Sequence, residues 1–222
     1  EKIKEIEARL PDTIKLAFLP NLGTVKLRIT GKSEDPEQIE QEVRQFAIEM
    51  ESILEKHCIG KDNESLEEVI GNLLVAENAT LATAESCTGG LIASKIVSVS
   101  GASRYFQGSV VAYSYEVKEQ VLKVKKDTLT KNGAVSQEVV EEMVAGVIEL
   151  MNVDYAIAVS GIAGPGGATD DKPVGTFWIA VGSKSSIVAK RLQLTNHRDI
   201  NIPLTANLAL NELRKLIKYP IV

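Results

Sequence analysis

The sequence predicts an α/β protein: a three-layer α/β/α sandwich on a mixed sheet, preceded by a small α+β domain. Three observations carry this. From residue 63 onward, short apolar β-type runs alternate with helical stretches, the pattern of a sheet covered on both faces. Two such runs, residues 176–181 and 186–194, are joined around Gly182-Ser183-Lys184. That link is too short for a crossover, so this pair is antiparallel and the sheet is mixed. Glycine is sparse up to about residue 60 and frequent after it. A charge-dense module, residues 1–62, therefore precedes a glycine-rich one, residues 63–222.

The small module reads as helix, hairpin, helix. Residues 14–19 and 24–29 alternate in polarity around the turn signal Pro20-Asn21-Leu22-Gly23. Val25, Leu27 and Ile29 fall on one face of a half-buried strand, with Lys26 and Arg28 on the other. Ser33-Glu34-Asp35-Pro36 opens a helix, with proline at an early position and acids in the first turn. Ile39, Val43, Phe46, Met50 and Ile53 follow at helical spacing, and the charges between them form a solvated face. Residues 60–63 read as a linker.

In the large module, Ser65 with Glu68 fits a capping box that opens a helix to about residue 77. Residues 80–84 are a short β-type run. Gly89-Gly90 opens a helix to about residue 97. Residues 108–113 read as a buried strand, and 116–122 as helical. Ser136 caps a long helix ending at Met151. Residues 155–159 form a strand of small and apolar residues, and 161–173 a glycine-rich loop. A last helix is expected from about Ile202 to Lys218.

Composition narrows the function. Lys and Arg total 25 against 30 Asp and Glu, a formal net charge of −5, and aromatic residues are 5% of the chain. A general nucleic-acid binder has a basic footprint and stacking platforms, so nucleic acid is not an expected partner. No apolar run reaches the ~18 residues of a membrane helix. Cys58 and Cys87 do not make a disulfide framework, which points to the cytoplasm. His57 and His197 lie far apart in sequence, which argues against a His-built metal site. The strand at Val25–Ile29 is a candidate edge for pairing with a second copy, so a homodimer is expected.

Three segments carry candidate chemistry. The first is Ala84-Glu85-Ser86-Cys87-Thr88-Gly89-Gly90, where a strand ends and a helix begins. Ligands of open α/β sheets bind at such strand ends. N–H groups at a helix start can hold a developing oxyanion next to a serine hydroxyl. The plain alternative is that Ser86 and Thr88 only cap the helix. Cys87 is a rival nucleophile or a small buried residue. The second segment is Tyr113-Ser114-Tyr115-Glu116-Val117-Lys118. A serine without histidine needs another base, and a lysine with a lowered pKa can serve. Tyr113 could relay the proton. The alternative places Lys118 in solvent. The third segment is Ser160-Gly161-Ile162-Ala163-Gly164-Pro165-Gly166-Gly167, followed by Lys172-Pro173-Val174-Gly175-Thr176. A glycine-dense loop after a strand exposes N–H groups that suit an anion. It lacks a Gly-Lys-[Ser/Thr] ending and is neither a Walker loop nor a dinucleotide fingerprint. Arg198 stands before the last helix, either within reach of such an anion or on the open surface.

Taken together, these segments and Gly133-Ala134-Val135-Ser136 resemble the C-terminal domain of the CinA (competence/damage-inducible) family. That domain also occurs alone as a nicotinamide mononucleotide deamidase of the PncC type. The likeness covers residues 64–218 and rests on five ordered motifs. Residues 1–62 resemble the family's KH-like middle domain, chiefly at Ile14-Lys15-Leu16-Ala17-Phe18-Leu19-Pro20, with Glu64-Ser65-Leu66-Glu67-Glu68-Val69 just beyond them. The family's amino-terminal molybdopterin-binding-like domain has no counterpart here. The chain is therefore expected to be part of a longer protein, without that domain's nucleotide pyrophosphatase activity.

The resemblance implies hydrolysis of the carboxamide of nicotinamide mononucleotide, a step in pyridine nucleotide salvage, with no cofactor. It implies Ser86 as nucleophile, Lys118 as base and Tyr113 as the assisting tyrosine. Cys87, Thr88, Gly89, Gly90, Ser160, Gly161, Ala163, Gly164 and Arg198 would line the substrate site, with N–H groups near residues 88–90 holding the oxyanion. Family members often carry further basic residues after the arginine matching Arg198. Here Asp199-Ile200-Asn201-Ile202-Pro203 follows instead. The competing expectation is a regulatory or binding module tied to competence. Residues 1–62 contain no Gly-X-X-Gly clamp of the kind KH domains use on nucleic acid.

Overall fold

The computed structural model describes residues 2–219; Glu1 and residues 220–222 lie outside it. The chain divides into two compact units, with the break between Ile59 and Gly60. The sequence placed that boundary at residue 62.

The first unit holds α1 (Lys2–Glu7), β1 (Ile14–Asn21), β2 (Thr24–Gly31) and α2 (Pro36–Leu54). The strands pair antiparallel in a hairpin, with Asn21 opposite Thr24. Asp35 caps α2, its carboxylate accepting from the N–H groups of Glu37 and Gln38, and Pro36 takes the first helical position. Leu27 and Ile29 are half-buried as the alternation requires. Val25 is not, at 57% exposed. It sits beside the hairpin turn, beyond the stretch of β2 that α2 covers at Gly31.

The second unit begins with α3 (Leu66–Ala76), opened by a full capping box between Ser65 and Glu68. Then come β3 (Leu81–Glu85), α4 (Leu91–Val97), β4 (Phe106–Val111), α5 (Tyr115–Gln120), α6 (Lys126–Asn132), α7 (Gln137–Met151), β5 (Tyr155–Gly161), β6 (Thr176–Ser183), β7 (Ile187–Gln193) and α8 (Arg198–Lys218). The sheet order is β4-β3-β5-β6-β7. β3 runs parallel to β4 and β5, while β6 is antiparallel to both β5 and β7. The sheet is mixed, and helices cover both faces.

The strand period decides which face each residue serves. Leu81, Ile157, Val159, Phe177 and Ile179 point to the layer of α3, α4 and α8. Ala82, Ala84, Ala156, Ala158 and Ala180 point to α7. Those alanines let α7 lie close to the central strands. Gly146 of α7 brings a second backbone close: a Cβ there would lie 1.9 Å from the Leu122 carbonyl oxygen. The chain leaving α5 is seated directly on α7.

Two expectations need correction. The strand expected at 108–113 runs Phe106–Val111 and is the sheet's edge, with Val111 45% exposed rather than buried. A run of Val and Ala does not distinguish an edge strand from a central one, because pairing decides that. The last helix starts at Arg198, not near Ile202, so Pro203 lies inside it. Proline marked a false start. The first turn is held by Asn201, wholly buried, whose Oδ1 accepts from Thr195 N and Oγ1 at 3.0 and 2.9 Å. Its Nδ2 donates to the carbonyls of Ala163 and Thr195 at 3.1 and 2.9 Å.

Candidate active site

β3 is a central strand, so its carboxyl end is gripped from both sides. Ser86 N donates to Val159 O at 3.0 Å, and Ala112 N donates to Glu85 O at 2.7 Å. The chain then turns through residues 86–90 into α4. Gly89 and Gly90 sit at φ of +62° and +97°, a region that side chains with a Cβ rarely adopt. This turn presents Ser86, only 8% exposed, at the sheet edge where parallel strands end.

Lys118 comes from α5, which opens with Ser114 accepting from Val117 N at 3.3 Å. α5 turns Lys118 inward to 1% exposure. Its Nζ lies 3.0 Å from Ser86 Oγ, 2.5 Å from Ala112 O and 3.4 Å from Tyr113 O. No carboxylate partners it in an ion pair among the described residues. Burial pushes its pKa down to about 8, and the nearby Cys87 thiol, as an anion, would push it back up. A fraction of Lys118 is therefore neutral near pH 7, with a hydroxyl in reach.

Cys87 behaves differently. It is buried, and desolvation pushes its pKa up to about 12. Near neutral pH this favours the thiol, the less nucleophilic form.

The amide hydrogens of the turn can be accounted for one by one. Gly89 N donates to Ser86 O at 3.1 Å and Leu91 N to Thr88 O at 3.1 Å. Gly90, Ile92 and Ala93 all donate to the Glu85 carboxylate, at 3.0, 3.1 and 2.8 Å. The oxyanion donors expected near residues 88–90 are therefore narrowed. Gly89 and Gly90 are engaged, the Cys87 amide is directed toward its own thiol, and the Thr88 amide is bound to none of these acceptors. The Thr88 hydroxyl is also buried with no hydrogen-bond partner.

The glycine loop joins this turn from β5. Gly161 lies against the Phe177 ring, where a Cβ would sit 2.1 Å from a ring carbon. Ala163 is buried, with its carbonyl held by Asn201. The Gly164–Pro165 peptide is cis, and Gly164 O accepts from Arg198 Nη1 at 3.2 Å. Arg198 is exposed, and its bond to Gly164 O ties it to the glycine loop. Ser160 is buried, and its hydroxyl donates to Ala134 O at 2.7 Å. That bond ties the end of β5 to the 132–134 segment. Tyr113 is 65% exposed, and its carbonyl meets Lys118 at 3.4 Å.

Three further residues of these motifs shape the site: Tyr115, Lys172 and Glu85. Tyr115 Oη accepts from Ala134 N at 3.1 Å, and Lys172 Nζ donates to Asn132 O at 2.6 Å. With Ser160 they fasten the 132–134 segment from three sides. Glu85 is the third. Its signal was a lone acid ending an otherwise uncharged strand.

Comparisons with known proteins follow the same division. The family model described as the CinA C-terminal domain matches residues 63–217, and that of the damage-inducible protein CinA KH domain matches residues 1–60. A CinA-like protein from Cytophaga hutchinsonii is 45% identical over 98% of this chain and 52% of its own length. One from Amoebophilus asiaticus is 42% identical over 96% of this chain and 51% of its own. The chain thus spans about half the length of these relatives. Among solved structures, a CinA superfamily protein from Klebsiella pneumoniae aligns with a TM-score of 0.66 at 33% identity, covering 70% of this chain and 99% of that one. A competence/damage-inducible protein from Agrobacterium tumefaciens aligns with a TM-score of 0.63 at 30% identity, covering 71% and 99%.

Proposed function

The chain belongs to the CinA family, and from that premise we propose that it is a nicotinamide mononucleotide deamidase, releasing nicotinate mononucleotide and ammonia. One observation carries the reading: Lys118 Nζ, buried and with a lowered pKa, 3.0 Å from Ser86 Oγ. A buried lysine facing a serine without a carboxylate partner is costly for stability, and a proton-accepting role gives it a purpose.

In the proposed cycle, neutral Lys118 takes the Ser86 proton and Oγ attacks the carboxamide carbon. The Cys87 and Thr88 amides hold the oxyanion. The proton on Lys118 passes to the leaving nitrogen and ammonia departs; for the Tyr113 phenol to assist, it must swing in from its exposed position. Lys118 then activates a water that hydrolyses the acyl-enzyme and returns Ser86 to its hydroxyl form. Side chains and water supply every proton. The glycine loop at Gly161–Gly164 and the Arg198 guanidinium are the proposed seat of the ribose and phosphate.

The test is ammonia release from purified protein with nicotinamide mononucleotide and EDTA present. Release that disappears in Ser86→Ala supports the reading. No release from a well-folded sample favours the binding or regulatory alternative.

A further inference from the structure

Glu85 is wholly buried at the end of an otherwise uncharged strand. No ion pair among the described residues involves it. A buried carboxylate is costly unless several hydrogen bonds offset it. Here three amides do so: Gly90 and Ile92 on Oε2, and Ala93 on Oε1. Thr83 Oγ1 stands 3.4 Å from Oε1.

The placement of these bonds matters more than their number. Glu85 precedes the turn and Gly90 follows it, so the Gly90–Oε2 bond closes residues 86–89 into a ring. Within that ring Gly89, and at its end Gly90, lack a side chain to restrict the backbone. Stability alone would be met by a surface serine or aspartate at the start of α4. The buried carboxylate does something such a cap cannot: it clamps a glycine pair that would otherwise let Ser86 wander. It also takes the Gly90 amide, so that donors remain only nearer the serine.

We propose that Glu85 is a positioning residue, which fixes the Ser86 hydroxyl and the Cys87 and Thr88 amides in reactive register through its three bonds to the α4 start. This rests on the reading of Ser86 as the nucleophile. Misplacement of a reacting group by about 1 Å can cost about 10²-fold in rate. Glutamine has nearly the same size, but its amide nitrogen is a donor facing donors.

The test uses a serine-directed fluorophosphonate on the full chain, which needs no substrate. Ser86 Oγ bonds to phosphorus, fluoride leaves, and the hydroxyl proton passes to Lys118. In Glu85→Gln, the maximal labelling rate should fall about 10²-fold, while the half-saturating probe concentration stays within about threefold and the melting transition remains cooperative. A labelling rate within threefold of wild type in folded Glu85→Gln would overturn the proposal. So would a fall that merely follows the folded fraction. If Glu85→Gln does not fold, Glu85→Asp decides. It keeps the carboxylate with a shorter reach, and should label at least tenfold more slowly than wild type; a wild-type rate there overturns the proposal. Labelling that depends on Glu85 in a protein inert towards nicotinamide mononucleotide would count against the substrate, not against this role.

Discussion

The Ala112 carbonyl accepts from Lys118 Nζ at 2.5 Å, while the same residue's N–H donates to Glu85 O at 2.7 Å. The two peptide units that flank Ala112, just beyond the end of β4, thus join Lys118 to the strand that leads into Ser86. The 3.0 Å approach of Lys118 to Ser86 is set by backbone, not by a flexible side chain finding its own way.

Lys118→Met should separate chemistry from stability. Loss of the base should lower kcat by about 10²–10⁴-fold. Removing a buried amine that lacks a counter-charge should leave the melting temperature equal or higher. Ammonia release and a thermal melt on one preparation check both. A large fall in melting temperature would mean that Lys118 holds the fold.

The rate should depend on pH through Lys118. Its pKa is lowered to about 8, and only the neutral amine can accept the serine proton. The value of kcat/KM should therefore rise through pH 7 and level off above about 8.5. The same depression makes folding stability rise with pH between about 8 and the ordinary lysine value, because the unfolded chain binds the extra proton there. A flat rate profile from pH 6 to 9 would exclude Lys118 as the base.

Cys87 should be dispensable for chemistry. With its pKa near 12, alkylation by iodoacetamide should be slow at pH 8, and Cys87→Ala should keep activity within about tenfold. Mass spectrometry of the alkylated protein separates Cys87 from Cys58. Rapid modification of Cys87, with loss of activity, would reopen its claim as nucleophile.

Gly146→Ala should disable the site from the far side of α7. The new Cβ would meet the Leu122 carbonyl carbon at 2.7 Å as well as its oxygen, and both are backbone atoms that cannot swing aside. The cost should be about 1–3 kcal/mol in stability. Activity should fall further than the melt explains, because the segment that yields is the one leaving α5. Activity preserved in a destabilised variant would show that α5 is held independently.

Much of this architecture was legible in the sequence, because local chemistry dictates it. The Ser65–Glu68 box, the Ser136 cap and the tight 182–184 link each specify one geometry. The turn at residues 86–90 was readable for the same reason, since two glycines after a strand admit few paths. What was not legible depends on pairing between distant segments. β4 became an edge because no strand among the described residues pairs with its outer side, and Val111 carries no mark of that. α8 starts early because Asn201 finds partners in two loops, one of them 38 residues away. Ser160 and Tyr115 both hold Ala134, a residue with no polar side chain to advertise the contact. The base and nucleophile were suggested by residue type, but their distance required the sheet.

Asn201 has one more consequence. Its four hydrogen bonds tie the start of α8 to both neighbouring loops, and Arg198 sits one turn away on that frame, itself bonded to Gly164 O. On the proposed reading, an anionic substrate group arriving there would meet a guanidinium whose backbone is already fixed, so less conformational freedom would be lost on capture. Rigidity can thus compensate for scarcity of charge: a single arginine held still offsets part of what a second, looser one would add.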